Sequence, residues 1–178
     1  MSPTSRAVGG RRRGRSSAAW VPWRSRGYAA RVKFQLIDTV LEAGEAHIVT
    51  AKLVSRAEEY LGDHFPTFPV LPGVMMLESM TQSARQLLQR TGWSEPIPPV
   101  LGEARAFRYG RFVQPGWMLV TRVERTGEPV DGHWGFSGKS FAVERDLSTW
   151  AEAPVAAAGK FSLRAARIDA RSAVGGTG

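Results

Sequence analysis

The sequence predicts an α+β fold in which a long antiparallel β-sheet wraps around one central α-helix. The first observation is an apolar run that follows Pro72-Gly73 and fades by Gly92, long enough for a helix of about 27 Å. The second is a set of strand-like segments separated by turn sequences such as Gly-Glu-Pro and Asp-Gly. A helix that is apolar around most of its circumference must be covered by other structure, and the strands are available to cover it.

The strands are predicted from β-branched and aromatic residues that lie between turn sequences. They are expected at residues 34–41, 47–54, 100–109, 117–125, 134–144 and 156–163. The first two form a hairpin through a turn at 42–45. A short helical turn is expected at 58–61, and a proline-rich crossover at 92–99 follows the helix, with Trp93 packed on the core.

The predicted helix is the most apolar part of the chain. Its apolar residues are Val74, Met75, Met76, Leu77, Met80, Ala84, Leu87 and Leu88. We therefore expect this helix to be central and buried. The preceding segment, residues 64–72, cannot be helical, because Pro66, Pro69 and Pro72 fix φ and lack a backbone N–H. It is expected to be an ordered loop.

Length and composition indicate one domain. The chain has 178 residues, no cysteine and three histidines. No apolar run reaches the roughly 18 residues of a membrane span. Without cysteine, disulfides and thiolate chemistry are excluded, and the widely spaced His47, His64 and His133 do not form a short-spaced pair of metal ligands. We expect one domain at residues 32–165 with no metal, and a flexible C-terminal tail at residues 166–178.

The net charge of +8 comes from residues 1–31. This segment contains eight arginines and no acidic residue, and the rest of the chain has 16 basic residues against 16 acidic ones. Its Arg, Ser, Ala and Gly content predicts a disordered tail. Three explanations are open: a targeting peptide, an arm that binds polyanions, and sequence upstream of the true start codon. We favour the last, because the domain pattern begins directly after Val32, the residue that an internal GUG start codon would be read as.

His64 and Glu78 are the candidate catalytic residues. His64 lies on the proline-rich loop, and Glu78 lies fourteen positions later in the first two turns of the helix. Imidazole and carboxyl groups are the usual general acids and bases, and a carboxylate on a buried helix is costly unless it is paired or protonated. Without a motif, a loop histidine bonded to the backbone and a glutamate in a polar gap of the core would be the simpler interpretation.

The spacing of the surrounding residues resembles the signature of the β-hydroxyacyl-acyl-carrier-protein dehydratases, which have the hot-dog fold. The matching positions are His64-Phe65-Pro66, Pro69, Pro72-Gly73-Val74, Glu78 and Gln82. Residues 107–116 are similar to the family's Arg-Phe-Lys-Arg-Pro-Val-x-Pro-Gly strand and turn. Asp63 stands where the family usually has glycine, and Phe112 replaces a common proline. The resemblance extends over about residues 34–163 and implies a hot-dog fold.

The resemblance implies a reaction and a division of roles. It implies dehydration of β-hydroxyacyl thioesters on acyl carrier protein to trans-2-enoyl thioesters, in fatty-acid biosynthesis or a related lipid pathway. His64 is expected to be the general base, and Glu78 the acid for the departing hydroxyl group. The Gly73 amide would hold the thioester oxygen, and Phe65 and Val74 would lie beside the acyl chain. No cofactor is required.

The resemblance also implies partners and a location. The two catalytic side chains would come from opposite protomers of a homodimer, with a trimer of dimers as the larger assembly. Arg108 and Arg111 are a candidate docking patch for the acidic acyl carrier protein, although a solvated strand face is the simpler explanation for them. We expect a cytoplasmic enzyme.

Two other classes of protein stay open at this point. A hot-dog acyl thioesterase activates water with a carboxylate and does not need the His-Phe-Pro loop. A nucleic-acid-binding protein would place aromatic and basic residues together in the folded domain as well as in the tail, a pattern that is weak here. Within the dehydratase class the acyl chain length is open, and a specialised lipid or polyketide pathway is an alternative to primary fatty-acid synthesis.

Removal of the basic tail tests whether it has a function. The neutral domain contains both candidate catalytic residues, whereas Trp20, Trp23 and Tyr28 of the tail have no periodic apolar face. A chain that begins at Val32 should fold, dimerise and turn over substrate like the full chain, and it should lose salt-sensitive binding to polyanions. Loss of activity on truncation, together with an intact Met1 terminus in the native protein by mass spectrometry, would refute this expectation.

Overall fold

The computed structural model describes residues 34–62, 64–65 and 67–167. The predicted basic tail at residues 1–31 and nearly all of the predicted C-terminal tail lie outside these residues, so both stay predictions. In the part of the chain that is described, no helix is long and apolar enough to cross a membrane.

In the described residues, six antiparallel strands form one sheet around one long helix. In chain order, the elements are β1 (Thr39–Ala43), β2 (His47–Leu53), a first 3₁₀ turn (Glu59–Leu61), α1 (Gly73–Arg90), β3 (Val100–Tyr109), β4 (Met118–Arg125), β5 (His133–Val143), a second 3₁₀ segment (Leu147–Glu152) and β6 (Val155–Arg164). The strand order is β1-β2-β4-β5-β6-β3, with β1 and β3 at the edges. The predicted α+β architecture with a central helix is confirmed.

The core lies between α1 and the inner face of the sheet. Met80 and Leu87 of α1 are fully buried against sheet residues such as Leu119 and Phe136. Full burial of each large apolar side chain contributes about 1.5–3 kcal/mol. The helix approaches β5 closely, since a Cβ atom at Gly138 would lie 2.6 Å from the Met80 sulfur. A side chain at position 138 would therefore force the Met80 side chain to shift.

The first strand lies later in the chain than predicted. β1 spans Thr39–Ala43, whereas residues 34–41 were expected. The segment before β1 packs against α1 instead: Leu36 is buried and its N–H donates to the Gln82 Oε1 atom at 3.0 Å. Gln82 also donates to the Phe34 carbonyl oxygen at 3.0 Å. Backbone groups that bond to a helix side chain are not available to pair with β2.

The second 3₁₀ segment is absent from the sequence prediction. It covers an apolar cluster on the face of the sheet opposite to α1. The members of this cluster are Val49, Ala51, Val120, Phe141 and Val143. The Trp150 ring packs edge-on against Phe141, with 5.3 Å between ring centroids. Asp146 caps the segment by accepting a hydrogen bond from the Ser148 N–H at 2.8 Å. The sheet therefore buries apolar residues on both faces.

The side of α1 that faces the sheet carries hydroxyl groups, which corrects the expectation of an almost wholly apolar helix. Ser79 and Ser83 are buried. Ser83 Oγ lies 2.8 Å from Thr50 Oγ1, and Ser79 Oγ lies 3.2 Å from Thr121 Oγ1. Thr121 Oγ1 in turn lies 2.9 Å from Ser140 Oγ. Buried hydroxyl groups are tolerated when they are hydrogen-bonded, so these pairs help to set which side of α1 faces the sheet.

Removal of the Thr121 hydroxyl group tests whether these hydrogen bonds stabilise the fold. Thr121→Val keeps the shape of the side chain but removes the hydrogen-bond partner of the Ser140 hydroxyl group, whereas Ser79 Oγ keeps its bond to the Leu36 carbonyl oxygen. We expect the free energy of unfolding to fall by about 1–3 kcal/mol, the cost of an unsatisfied buried polar group. Urea unfolding measures this free energy, and Thr39→Val, at an exposed position of β1, is the control. A native unfolding free energy in Thr121→Val would contradict the stabilising role of this contact.

Candidate active site

His64 lies on the loop between the first 3₁₀ turn and α1, and the described residues of this loop are not helical, as predicted. The loop is attached to the domain, because Val70 and Leu71 are buried and the Leu71 N–H donates to the Val113 carbonyl oxygen at 2.8 Å. The His64 Nδ1 atom lies 3.0 Å from the Val70 carbonyl oxygen. A carbonyl oxygen can only accept a hydrogen bond, so in the neutral ring Nδ1 carries the hydrogen and the lone pair stays on Nε2. This geometry leaves Nε2 able to accept a proton.

Phe65 has an unusual backbone conformation next to His64. Its φ is 55°, in the left-handed region that costs a residue with a side chain about 1–2 kcal/mol. Its ring packs edge-on against the His64 ring, with 4.4 Å between centroids, and is largely exposed. Such strain persists only where the surrounding structure enforces it, and it is common at functional sites.

An aromatic ring covers one side of the start of α1. The helix begins at Gly73, directly after Pro72, as the sequence predicts, and no side chain caps this end within the described residues. A Cβ atom at position 73 would lie 2.8 Å from Cε1 of Tyr109. Glycine therefore lets the Tyr109 ring lie over the helix start, where the positive end of the helix dipole favours negative charge.

Several large apolar side chains are exposed around the loop and the helix start. We call them the apolar rim: Phe65, Phe68, Val74, Tyr109 and Phe112. The Phe68 and Phe112 rings contact each other edge-to-face, with 6.0 Å between centroids. Val74 is 69% exposed, which corrects the expectation that it belongs to the buried part of the helix. Clustered apolar groups on a surface mark a site of interaction.

Glu78 lies on α1 with a partly exposed side chain, 36% accessible, although we expected a buried position. Its Oε1 atom accepts hydrogen bonds from Gln82 Nε2 and from Arg85 Nη1, both at 3.1 Å. The pairing that a carboxylate on this helix requires is thus supplied by neighbours on the same helix. Within the described residues, no hydrogen bond joins Glu78 to His64.

The two arginines predicted to dock a carrier protein lie in different settings. Arg108 is exposed on β3, and no ion pair involves it within residues 34–62, 64–65 and 67–167. Arg111 follows β3, and its guanidinium group lies 5.5 Å from the Trp117 ring centroid and 3.5 Å from Glu144 Oε1. Arg111 is therefore partly engaged by its neighbours, and Arg108 is the freer cation.

Comparison with known sequences identifies the family. The family model of the ApeI-like proteins, described as ApeI dehydratase, matches residues 41–144. The chain belongs to this family. It is also similar to enzymes named 3-hydroxyacyl-acyl-carrier-protein dehydratase FabZ. The relative from Thermotoga petrophila is 38% identical over 100 residues, which are 56% of this chain and 71% of the relative. The relative from Shewanella amazonensis is 38% identical over 135 residues, covering 66% of this chain and 87% of the relative. The dehydratase resemblance is confirmed.

Solved dehydratase and thioesterase structures share the fold. The dehydratase heterocomplex ApeI:P from Xenorhabdus doucetiae aligns with a TM-score of 0.51 at 16% identity, over 72% of this chain and 96% of that chain. Thioesterase superfamily member 2 from Mus musculus aligns with a TM-score of 0.51 at 14% identity, over 71% of this chain and 80% of that chain. At these identities the likeness concerns the fold alone, and it confirms the hot-dog fold.

Two residues near the candidate site were not found from the sequence. Arg85 follows Gln82 by three positions and Glu78 by seven, so all three lie on one face of α1. This spacing is the signal that identifies Arg85 in the sequence. Tyr109 gives no such signal, because its contact with Gly73 depends on the placement of the end of β3 beside the helix start.

Proposed function

We propose that this protein removes water from a β-hydroxyacyl thioester carried on acyl carrier protein and releases the trans-2-enoyl thioester. Membership of a dehydratase family supports the reaction, and the names of the FabZ relatives support the substrate class. The observation that carries the proposal is the orientation of His64: its Nδ1–H is held by the Val70 carbonyl oxygen, which places the lone pair on Nε2, the atom that would act as the base.

His64 and Glu78 divide the proton transfers between them. His64 Nε2 takes the proton from C2 of the acyl chain, and the electrons of the broken C–H bond form the C2–C3 double bond. The C3–O bond breaks as Glu78 donates a proton to the leaving hydroxyl group, which departs as water. Solvent then returns each residue to its starting protonation state, so the reaction needs no cofactor.

The start of α1 stabilises the charge that develops on the thioester oxygen. When the C2 proton leaves, negative charge accumulates on the carbonyl oxygen. The Gly73 amide at the positive end of the helix dipole would donate a hydrogen bond to that oxygen. Phe65 and Val74 of the apolar rim would line the path of the acyl chain, which is consistent with their exposure in one chain.

The proposed enzyme is a homodimer whose active sites combine His64 of one protomer with Glu78 of the other. Two features of the single chain support an interface here. The apolar rim leaves large side chains in contact with water. β3 is a ten-residue edge strand with mostly exposed side chains, and an edge strand is a ready template for pairing with a second copy. A trimer of dimers is the larger assembly that we expect.

Two arginines near the end of β3 are the proposed contact site for acyl carrier protein. Arg108, as the freer cation on β3, would attract the acidic surface of acyl carrier protein, and Arg111 would contribute less because Glu144 competes for it. The proposed setting is fatty-acid biosynthesis in the cytoplasm, with a specialised lipid or polyketide pathway as the alternative. The thioesterase alternative is separated by its product, because hydrolysis releases a free thiol and dehydration does not.

Replacement of the two catalytic residues tests the assignment. His64→Ala and Glu78→Gln should each leave a folded protein whose turnover of β-hydroxyacyl thioesters falls by at least about a hundredfold. The measurement is the reversible absorbance change of the conjugated enoyl product, over a ladder of acyl chain lengths. His47→Ala is the matched control, because His47 lies on β2 and bonds to Glu42. Near-native dehydration in either catalytic variant, or thiol release by the native protein without enoyl formation, would overturn the proposal.

Mixing of the two inactive variants tests whether the site is shared. In a heterodimer of His64→Ala and Glu78→Gln protomers, one site carries both substitutions and the other carries neither. Random exchange between equal amounts should therefore restore about a quarter of the native turnover, since half of the dimers are mixed and half of their sites are intact. Native mass spectrometry verifies the exchange. Proven exchange without recovery would show that each site is built within one chain.

A further inference from the structure

Arg85 lies beside the catalytic carboxyl group on the same face of α1. Its Nη1 atom donates a hydrogen bond to Glu78 Oε1 at 3.1 Å, and its side chain is only 23% exposed. Gln82 Nε2 donates to the same oxygen, also at 3.1 Å. The Glu78 carboxyl group is thus held through one of its two oxygen atoms by two donors.

Both donors are fixed to backbone outside the helix. Arg85 Nε donates to the Pro99 carbonyl oxygen at 2.7 Å, at the end of the crossover that leads into β3. Gln82 is bonded to the backbone of Phe34 and Leu36 on the segment before β1. Because the guanidinium fork is planar and rigid, its contact with Pro99 also fixes the direction of the N–H group that reaches Glu78.

This arrangement distinguishes the two oxygen atoms of Glu78. Oε1 faces two N–H donors, so a hydrogen on Oε1 would point at other hydrogens and lose both bonds. The proton of the neutral acid therefore resides on Oε2. Within the described residues, Oε2 takes no hydrogen bond, and this atom is free to face the substrate hydroxyl group.

We propose that Arg85 is a positioning residue that holds Glu78 Oε1 and thereby presents the proton on Oε2 to the departing hydroxyl group. This inference rests on the proposed dehydratase function, and it assigns to Arg85 no contact with the substrate. The competing explanation is structural: Arg85 ties the crossover at Pro99 to the helix, and its contact with Glu78 is incidental. A purely structural role would change stability and substrate binding, whereas a positioning role acts on turnover through Glu78.

A double-mutant cycle separates the two roles. Arg85→Met keeps the aliphatic part of the side chain and removes every donor, and it is combined with Glu78→Gln. In the native background, Arg85→Met should lower kcat by about tenfold or more with KM changed by less than about twofold, because misplacement of a reacting group by about 1 Å costs up to a hundredfold. In the Glu78→Gln background, the same substitution should change kcat by less than about twofold, since the group that Arg85 positions is already lost.

Two further arginine variants serve as controls for the loss of charge and for the loss of the planar guanidinium group. Arg90→Met removes an arginine from the last turn of the same helix and should leave kcat and KM native. Arg85→Lys retains the charge but lacks the planar fork that bonds Pro99 and Glu78 together, so its kcat should lie between those of the native protein and Arg85→Met. If Arg85→Met does not fold, Arg85→Lys takes its place in the cycle.

Failure of this inference is distinguishable from failure of the proposed function. A native protein without dehydratase activity, or a Glu78→Gln variant with native turnover, would overturn the proposed function and the role of Arg85 with it. If both of those results are as expected, native kcat in the Arg85 variant, or equal losses in kcat with and without Glu78, would overturn the positioning role alone.

Discussion

The position of α1 against the sheet is the constraint on which the candidate site depends. Met80 packs closely on β5 at Gly138, where a Cβ atom would lie 2.6 Å from its sulfur, so a side chain at position 138 would force Met80 to shift. Hydrogen bonds of Ser79 to Thr121 and of Ser83 to Thr50 flank this contact along the helix. Apolar packing alone is non-directional and would tolerate some rotation of the helix about its axis. The hydroxyl pairs are directional, so rotation would break them, and the buried Thr50 hydroxyl group would lose its bond to Ser83.

Fixing the rotation of the helix also fixes the face that carries Glu78, Gln82 and Arg85. Consecutive residues of a helix are about 100° apart around its axis. Because Ser79 points toward the sheet, the neighbouring Glu78 points away from it. Gln82 then contacts the segment before β1, and Arg85 contacts the end of the crossover. Each of these segments leads directly into an edge strand of the sheet. The geometry of the carboxyl group is therefore linked to the packing of the whole domain.

Local patterns in the sequence predicted those features that local chemistry determines. Pro72-Gly73 predicted the first residue of α1, and the turn sequences predicted β3 at its observed bounds and β4 to β6 to within one residue at each end. Trp93 packs on the core as expected, with 5.0 Å between its ring centroid and that of Trp134.

The features that were missed depend on contacts between distant parts of the chain. From the sequence alone, Ser79 is typical of an exposed position; its burial is explained by the hydroxyl group of Thr121, which lies far away in the chain. Residues 34–37 have the composition of a strand, but their backbone bonds to Gln82 instead of to β2. The 36% exposure of Glu78 likewise follows from packing of the helix, which the sequence does not display.

The two candidate catalytic side chains are held by different kinds of contact. His64 is oriented by a backbone carbonyl, that of Val70, on a loop that is attached to the core through Leu71 and Val113. A backbone acceptor is supplied by any residue, so substitutions around this loop can preserve the orientation of His64 as long as the loop keeps its path. Glu78 is oriented by the side chains of Gln82 and Arg85, and a single substitution removes either donor. The orientation of the proposed base is therefore specified mainly by the fold, whereas that of the proposed acid is specified by particular side chains of this protein. A change in catalytic properties by substitution within this fold is accordingly more accessible at the support of Glu78 than at the support of His64.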